Sequence, residues 1–313
     1  MADLGSAFAR AMAYTHAPWW RRLLRKPAAT LLCATLLQLP RCVPLALRVP
    51  AHTFFGAEMW VVLPEGGACE IFCLGAIEED VTSFLLTHVT EGMTFIDVGA
   101  NVGYFALLAA RLVGPSGQVH AFEPAQGTCD ILRHNACRHG NITVQQKALW
   151  SCRTALPFHE YGRRYSALNS VRHHRLVRES DLALARAYDV EAITLDEYCT
   201  ARALVPDFIK IDAETAEPQI LRGSRHTLAR HRPFVALEVW DDPARDSRDD
   251  ITFLLNHGYE AFEYHAGAII PHRLRDSYGY TNLLFAHPRK AQGLAPGHAT
   301  AETPATEVDE RGS

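Results

Sequence analysis

Eight cysteines are scattered through 313 residues without one Cys-x-x-Cys pair, and no histidine group has zinc-ligand spacing. Neither a zinc site nor a disulfide framework is expected; reduced, mostly buried thiols in a cytoplasmic protein are. No metal is expected. Net charge is also scarce: 31 Lys+Arg stand against 35 Asp+Glu, a formal −4. That leaves no electrostatic footprint for nucleic acid as the main partner. Long apolar runs are missing too. The best candidate, Pro27 to Pro40, follows Arg21, Arg22, Arg25 and Lys26 as a signal peptide might be arranged. It holds only about a dozen apolar residues, too few to span a bilayer, and Pro40, Arg41 and Pro44 break it. Helical packing onto the rest of the chain is the expectation, with a surface-lying amphipathic helix touching membrane as the second reading. No internal repeat is visible. With 48% hydrophobic residues, the chain can bury one large core or two small ones.

What is present centres on Met93 to Pro124. Thr94-Phe95-Ile96-Asp97-Val98 is a short apolar run ending at Gly99-Ala100-Asn101-Val102-Gly103. A helical pattern follows, with Tyr104, Phe105, Leu107, Leu108, Leu112 and Val113 on one broad side. Gly114 to Gly117 then lead to Gln118-Val119-His120-Ala121-Phe122 and Glu123-Pro124. Strand, glycine turn, helix, and strand with an acid at its tip make a βαβ unit for a nucleoside-bearing cofactor. Gly99 lets the backbone turn without a Cβ, and Glu123 can accept hydrogen bonds from ribose hydroxyls. A nicotinamide dinucleotide and S-adenosyl-L-methionine both suit an acid about 20 residues beyond the glycines. Asp97 favours the second: a carboxylate beside the first turn repels a pyrophosphate and attracts a cationic methionine end.

The ordered set Gly92 to Phe105, Val119 to Pro124, Tyr165-Ser166-Ala167-Leu168-Asn169-Ser170 and Pro206 to Glu214 resembles the FkbM-type methyltransferase family, from roughly Phe55 to Pro288. The resemblance implies a class I methyltransferase acting on a hydroxyl oxygen of a small hydroxylated substrate. It departs at one place: where the family has Gly after the second acid, this chain has Thr215.

Along the rest of the chain, residues 1–50 read as an N-terminal helical appendage, 51–288 as the catalytic domain and 289–313 as a disordered tail. Met59–Leu63 and Cys69–Leu74 read as a hairpin turning at Pro64–Gly67, and Glu78–Val89 as a helix. Ala125–His139 is expected to be helical and Ile142–Val144 a strand, followed by Lys147-Ala148-Leu149, where adenine would lie against Ala148. Leu156–His159 and Tyr188–Leu195 suggest accessory strands. Between them, Tyr161–Ser180 carries Arg163, Arg164, Arg172, Arg175 and Arg178, a solvated loop or a lid over an anionic or polyhydroxyl substrate. Asp207–Asp212 and Pro233–Val239 read as strands, Ala216–Arg230 and Asp249–Asn256 as helices, and Tyr259–Tyr264 and Asn282–Ala286 as late strands. The sum is an α/β, Rossmann-like doubly wound sheet with an antiparallel last strand.

Ligands of open α/β sheets sit outside the carboxyl ends of the strands. Four acids map there: Asp97, Glu123, Asp212 and Glu238. The cofactor set is therefore Asp97, Gly99, Asn101, Gly103, Tyr104, Glu123 and Ala148. Asp212 is the expected base or hydroxyl-orienting residue, helped by Glu214 and Glu238. Structural alternatives are a helix cap for Asp212 and a salt bridge to a loop arginine for Glu238. His120 reads as a packed core residue. An oxidoreductase using a nicotinamide, or a cofactor-binding module without turnover, are the competing functions.

Overall fold

The computed structural model describes residues 4–14, 18–38, 46–160, 186–241, 246–265 and 267–291. Their strands, in chain order, are β1 (Leu47–His52), β2 (Glu58–Leu63), β3 (Thr94–Val98), β4 (Gln118–Phe122), β5 (Ile142–Gln145), β6 (Ala148–Leu149) and β7 (Thr154–Glu160). Then come β8 (Arg186–Ile193), β9 (Phe208–Ile211), β10 (Phe234–Val239), β11 (Glu260–His265), β12 (Ala268–Pro271) and β13 (Thr281–Ala286). Eight of them form one sheet in the order β12-β11-β13-β10-β9-β3-β4-β5. β10, β9, β3, β4 and β5 run parallel, while β13 enters antiparallel between β10 and β11. Strand order reverses at β3, so the crevice for a ligand opens there.

Alternation along the strands assigns side chains to the two faces. Phe95, Phe208 and Phe234 pack with the helices Glu79–His88 and Tyr104–Val113. Ile96, Ile209, Ile211, Val235 and Leu237 pack against Tyr198, Ile220, Leu228 and Ile251 on the other side. A sheet apolar on both faces must be covered on both, which is the doubly wound architecture. This is the class I methyltransferase fold, with its late antiparallel strand. His120 is buried, its Nδ1 2.9 Å from the Tyr198 hydroxyl.

The expected hairpin is corrected. Its first strand exists but pairs with β1, and Gly66–Leu74 is a helix. Glu65 explains the difference: its carboxylate accepts from the Gly67 and Ala68 N–H groups at 2.9 and 2.7 Å, capping the helix start. Ala68, Ile71 and Leu74 then share one buried side, and Gly75 closes the helix at φ 79°. β1 also places strand inside the stretch expected as an N-terminal appendage. That stretch otherwise carries helices Leu4–Met12, Trp19–Arg25 and Pro27–Gln38.

The single helix expected over Ala216–Arg230 is two, Glu217–Arg222 and Arg225–His231. They part at Gly223, where a Cβ would lie 2.0 Å from the Trp150 carbonyl oxygen. Pro218 sits in the first turn, where its missing N–H does no harm. β12 was not anticipated. The accessory strands pair as β7 with β8; the basic loop between them and the tail beyond Ala291 lie outside the described residues. No helix among the described residues is long and apolar enough to cross a membrane, and their seven cysteines form no disulfide.

Candidate active site

A cavity of about 470 Å³ opens at the carboxyl ends of β3, β4, β9 and β10. Its centre is the turn after β3. Gly99 has φ 75°, and a Cβ there would lie 1.7 Å from the Asp212 backbone oxygen. Only glycine lets the β3 and β9 turns approach this closely. Asn101 follows at φ 47°, a left-handed conformation its short polar side chain tolerates. Gly103 serves packing instead of the cavity wall: its Cβ would strike Leu132 at 2.5 Å, and it does not line the cavity. Tyr104, buried at the helix start, does line it.

On the β4–β5 side, Glu123 is 6% exposed and both its oxygens are bonded. Oε2 accepts from the Asn101 N–H at 3.0 Å and Oε1 from the Ala125 N–H at 2.9 Å. Burial nevertheless raises its carboxyl to about 7, the backbone bonds opposing. Each oxygen keeps further acceptor capacity toward the cavity. Ala148, Leu149, Phe122 and Phe158 supply apolar wall beside it.

On the β9–β10 side the acids accumulate. Asp212 lies just beyond β9, its Oδ2 held by the Lys210 ammonium at 2.8 Å. The Ala216 N-cap of the next helix carries no side-chain cap, so Asp212 is engaged by a lysine rather than by a helix end. Carboxylate oxygens of Asp212, Glu214 and Glu238 lie within 4.8 Å of one another. Glu238 is 3% exposed and its Oε2 has no partner. Burial, then the charges of Asp212 and Glu214, push its carboxyl well above the ordinary range.

Asp97 is placed differently from the expectation that it faces the crevice. It is fully buried, does not line the cavity, and neither oxygen has a hydrogen-bond partner. Its neighbour across the ladder is Lys210. Burial raises its carboxyl to about 6, with Lys210 working against the rise.

Among the cavity residues that sequence reading missed are Lys210 and Glu78. Lys210 interrupts the apolar run of β9, is 3% exposed, and stands 4.9 Å over the Phe105 ring. Burial disfavours its charge, but Asp212, Asp97 and Glu78 together hold its pKa above the ordinary value. A lysine inside a four-residue buried strand was the available signal. Glu78 enters from the start of the helix below β13, at φ 45° and with Oε2 unpartnered. Burial first, then Asp212, raise it to about 8. Nothing local in the sequence marks it.

Thr215 accounts for the family departure. It sits at φ 82°, after Glu214 at φ 48°, where a β-branched residue is strained and glycine is not.

The strand order and this crevice define the fold class of the S-adenosylmethionine methyltransferases. The family model for the methyltransferase FkbM domain matches residues 97–261, and the chain belongs to that family. Protein-L-isoaspartate O-methyltransferase from Methanococcoides burtonii is 39% identical over 61 residues, 19% of this chain and 30% of that protein. The counterpart from Methanothrix thermoacetophila is 36% identical over 61 residues, 19% of this chain and 29% of that protein. The chain thus spans less than a third of the length of the curated relatives it matches. A crystal structure of methyltransferase FkbM from Methylobacillus flagellatus KT is 18% identical, with a TM-score of 0.40, covering 63% of this chain and 44% of that one. At such a TM-score the superposition adds nothing to the strand order.

Proposed function

We propose that the chain is an S-adenosylmethionine-dependent O-methyltransferase for a small hydroxylated metabolite of polyketide or sugar type. The observation that carries this is the division of the cavity at Gly99. A backbone-fixed acid and apolar wall stand on the β4–β5 side, and a cluster of carboxylates on the β9–β10 side.

The residues suit the cofactor. Glu123 would take the ribose hydroxyls, Ala148 and Phe158 the adenine, and the Gly99–Asn101 turn the close approach of the ligand. Asp97 acts from behind the wall, through the field it shares with Lys210. When bound, S-adenosylmethionine supplies a methyl group already activated on a sulfonium. What remains for the protein is to align the acceptor and exclude water. Asp212 would hold the acceptor hydroxyl by accepting its hydrogen bond and then its proton. Lys210 keeps the Asp212 carboxylate oriented. Glu214 and Glu238 complete the acceptor side.

The nicotinamide alternative rests on the glycine turn and the acid beyond it, and Asp97, lying behind the cavity wall, no longer argues against it; family membership and the acidic β9–β10 side do. A cofactor-binding module without turnover draws on the strained Thr215 turn.

Thermal shift separates the first two readings: S-adenosylmethionine should stabilise the protein and NAD should not. Glu123→Ala should weaken the donor by about ten- to a hundredfold, the loss of charge-assisted ribose bonds worth roughly 1.5–3 kcal/mol. Protection by NAD alone would reverse the assignment. Incubation of metabolite extracts with labelled donor, followed by mass spectrometry, should then yield a labelled ether. Binding without any labelled product would favour the module.

A further inference from the structure

Acids gather on the β9–β10 side of the cavity. Asp212, Glu214 and Glu238 bring three carboxylates to within 4.8 Å of one another. The buried cation beside them, Lys210, bonds Asp212 Oδ2 and is shared with Asp97 and Glu78, whose charges also bear on it. Glu238 is the sharper observation. A carboxylate 97% withdrawn from solvent, with one oxygen unbonded, is costly unless something occupies the space in front of it. One of its oxygens lies within 4.8 Å of carboxylate oxygens of the other two, and all three residues line the cavity.

We propose that Asp212, Glu214 and Glu238 hold one divalent, oxygen-preferring cation, Mg²⁺, Mn²⁺ or Ca²⁺. The donor set is carboxylate only, with no imidazole or thiolate, which selects hard ions over zinc or copper. The spacing agrees. Oxygens on opposite sides of an ion bound at about 2.1–2.4 Å stand roughly 4.2–4.8 Å apart. Lys210 bonds Oδ2 of Asp212, and the carboxylate keeps acceptor capacity for the ion. The three carboxylates line a cavity of about 470 Å³, from which water ligands and an acceptor oxygen would reach the ion. The ion's place in the reaction rests on the methyl-transfer reading. There it would bind the acceptor hydroxyl beside Asp212, lowering the affinity of that oxygen for its proton. The ion site itself does not depend on that reading.

The test is a Mn²⁺ titration of the full chain after EDTA treatment and desalting, followed through the electron paramagnetic resonance signal of free Mn²⁺. One ion per chain should be taken up, and Mg²⁺ should displace it. Glu238→Gln and Glu214→Gln, which keep side-chain shape, should each weaken uptake by about tenfold or more, since losing a ligand should cost at least what losing an outer-shell partner does. Circular dichroism melts establish that each variant is folded. S-adenosylmethionine affinity, measured separately by calorimetry, should survive in both variants. No uptake by folded wild-type protein overturns the proposal, and so does uptake unchanged in both variants, which would place the ion on the surface. Uptake of Mn²⁺ as expected without any binding of S-adenosylmethionine would instead remove the functional reading and leave the cation site standing.

Discussion

Glu123 and Glu238 are both glutamates, both nearly sealed from solvent, and both at strand tips facing one cavity, yet their surroundings differ. Glu123 has each oxygen bonded by a backbone N–H, while Glu238 keeps one oxygen with no partner. The β4–β5 side is finished by the fold itself, because the turn after β3 and the helix start at Gln126 present donors to the acid. The β9–β10 side is finished only when something else arrives. A finished half suits a cofactor common to many enzymes; an unfinished half suits the group that differs among them. The largest expected effect follows on the unfinished side. Asp212→Asn keeps size and hydrogen-bonding shape but gives up the charge and the proton acceptor, so turnover should fall about 10²–10⁴-fold. Donor binding, measured by calorimetry, should persist because Glu123 and the Gly99 turn are untouched. Near-normal turnover would break the comparison and move the proton acceptor to Glu214 or Glu238.

How much of this was legible beforehand depended on whether the cause was local. β3, its glycine turn, the helix and β4 were readable because strand, turn and helix signals lie within one short stretch. The Gly66–Leu74 helix was not, since it depends on a cap by the Glu65 side chain and its run of Cys, Ile, Phe and Leu also fits a strand. The true partner of β2 is β1, whose Arg48 and Pro50 weaken a strand signal. The break at Gly223 comes from the Trp150 carbonyl, remote in sequence. Asp212, Glu214 and Glu238 were found because strand tips are predictable positions. Glu78 was not, because a helix start from an earlier part of the chain brings it into the site. Asp97 was found, but its depth behind the cavity wall could not be read from its spacing to Gly99.

A pH series sharpens the contrast at lower amplitude. Burial raises Glu78 to about 8 and Glu123 to about 7, above the usual carboxylate range. The folded chain therefore holds protons that the unfolded chain has lost. Their contribution to stability is present below the unfolded pKa and disappears as pH rises through 7 and 8. His88 and His120, both lowered to about 4 by burial, act oppositely, but only below the unfolded histidine pKa of about 6.5. Ligand-free protein should therefore lose melting temperature between pH 6.5 and 8. Glu78 faces Asp212, Asp80, Asp97 and Lys210, so Glu78→Gln should flatten the slope more than any exposed substitution. A melting temperature that is level or rises over that interval would contradict the buried-acid account.

The smallest effect concerns the turn that delivers Glu214 to the cavity. Thr215 is only 9% exposed and holds φ 82°, a region that costs a non-glycine residue about 1–3 kcal/mol. Thr215→Gly removes that strain but loosens the unfolded chain, which subtracts roughly 0.4–1 kcal/mol. It also gives up a buried methyl group. The net should be a gain of about 1 kcal/mol or less, read as a melting temperature a few degrees higher in a chain of this size. Thr215→Ala is the control: it drops the branched side chain while keeping a Cβ at positive φ, so it should gain nothing. If strain at Thr215 instead holds Glu214 in place, the glycine variant will be more stable and slower, with donor affinity unchanged. Equal melting temperatures for the threonine, alanine and glycine proteins would mean that the turn stores no strain. The departure from the family pattern would then have no consequence for the unfinished half of the cavity.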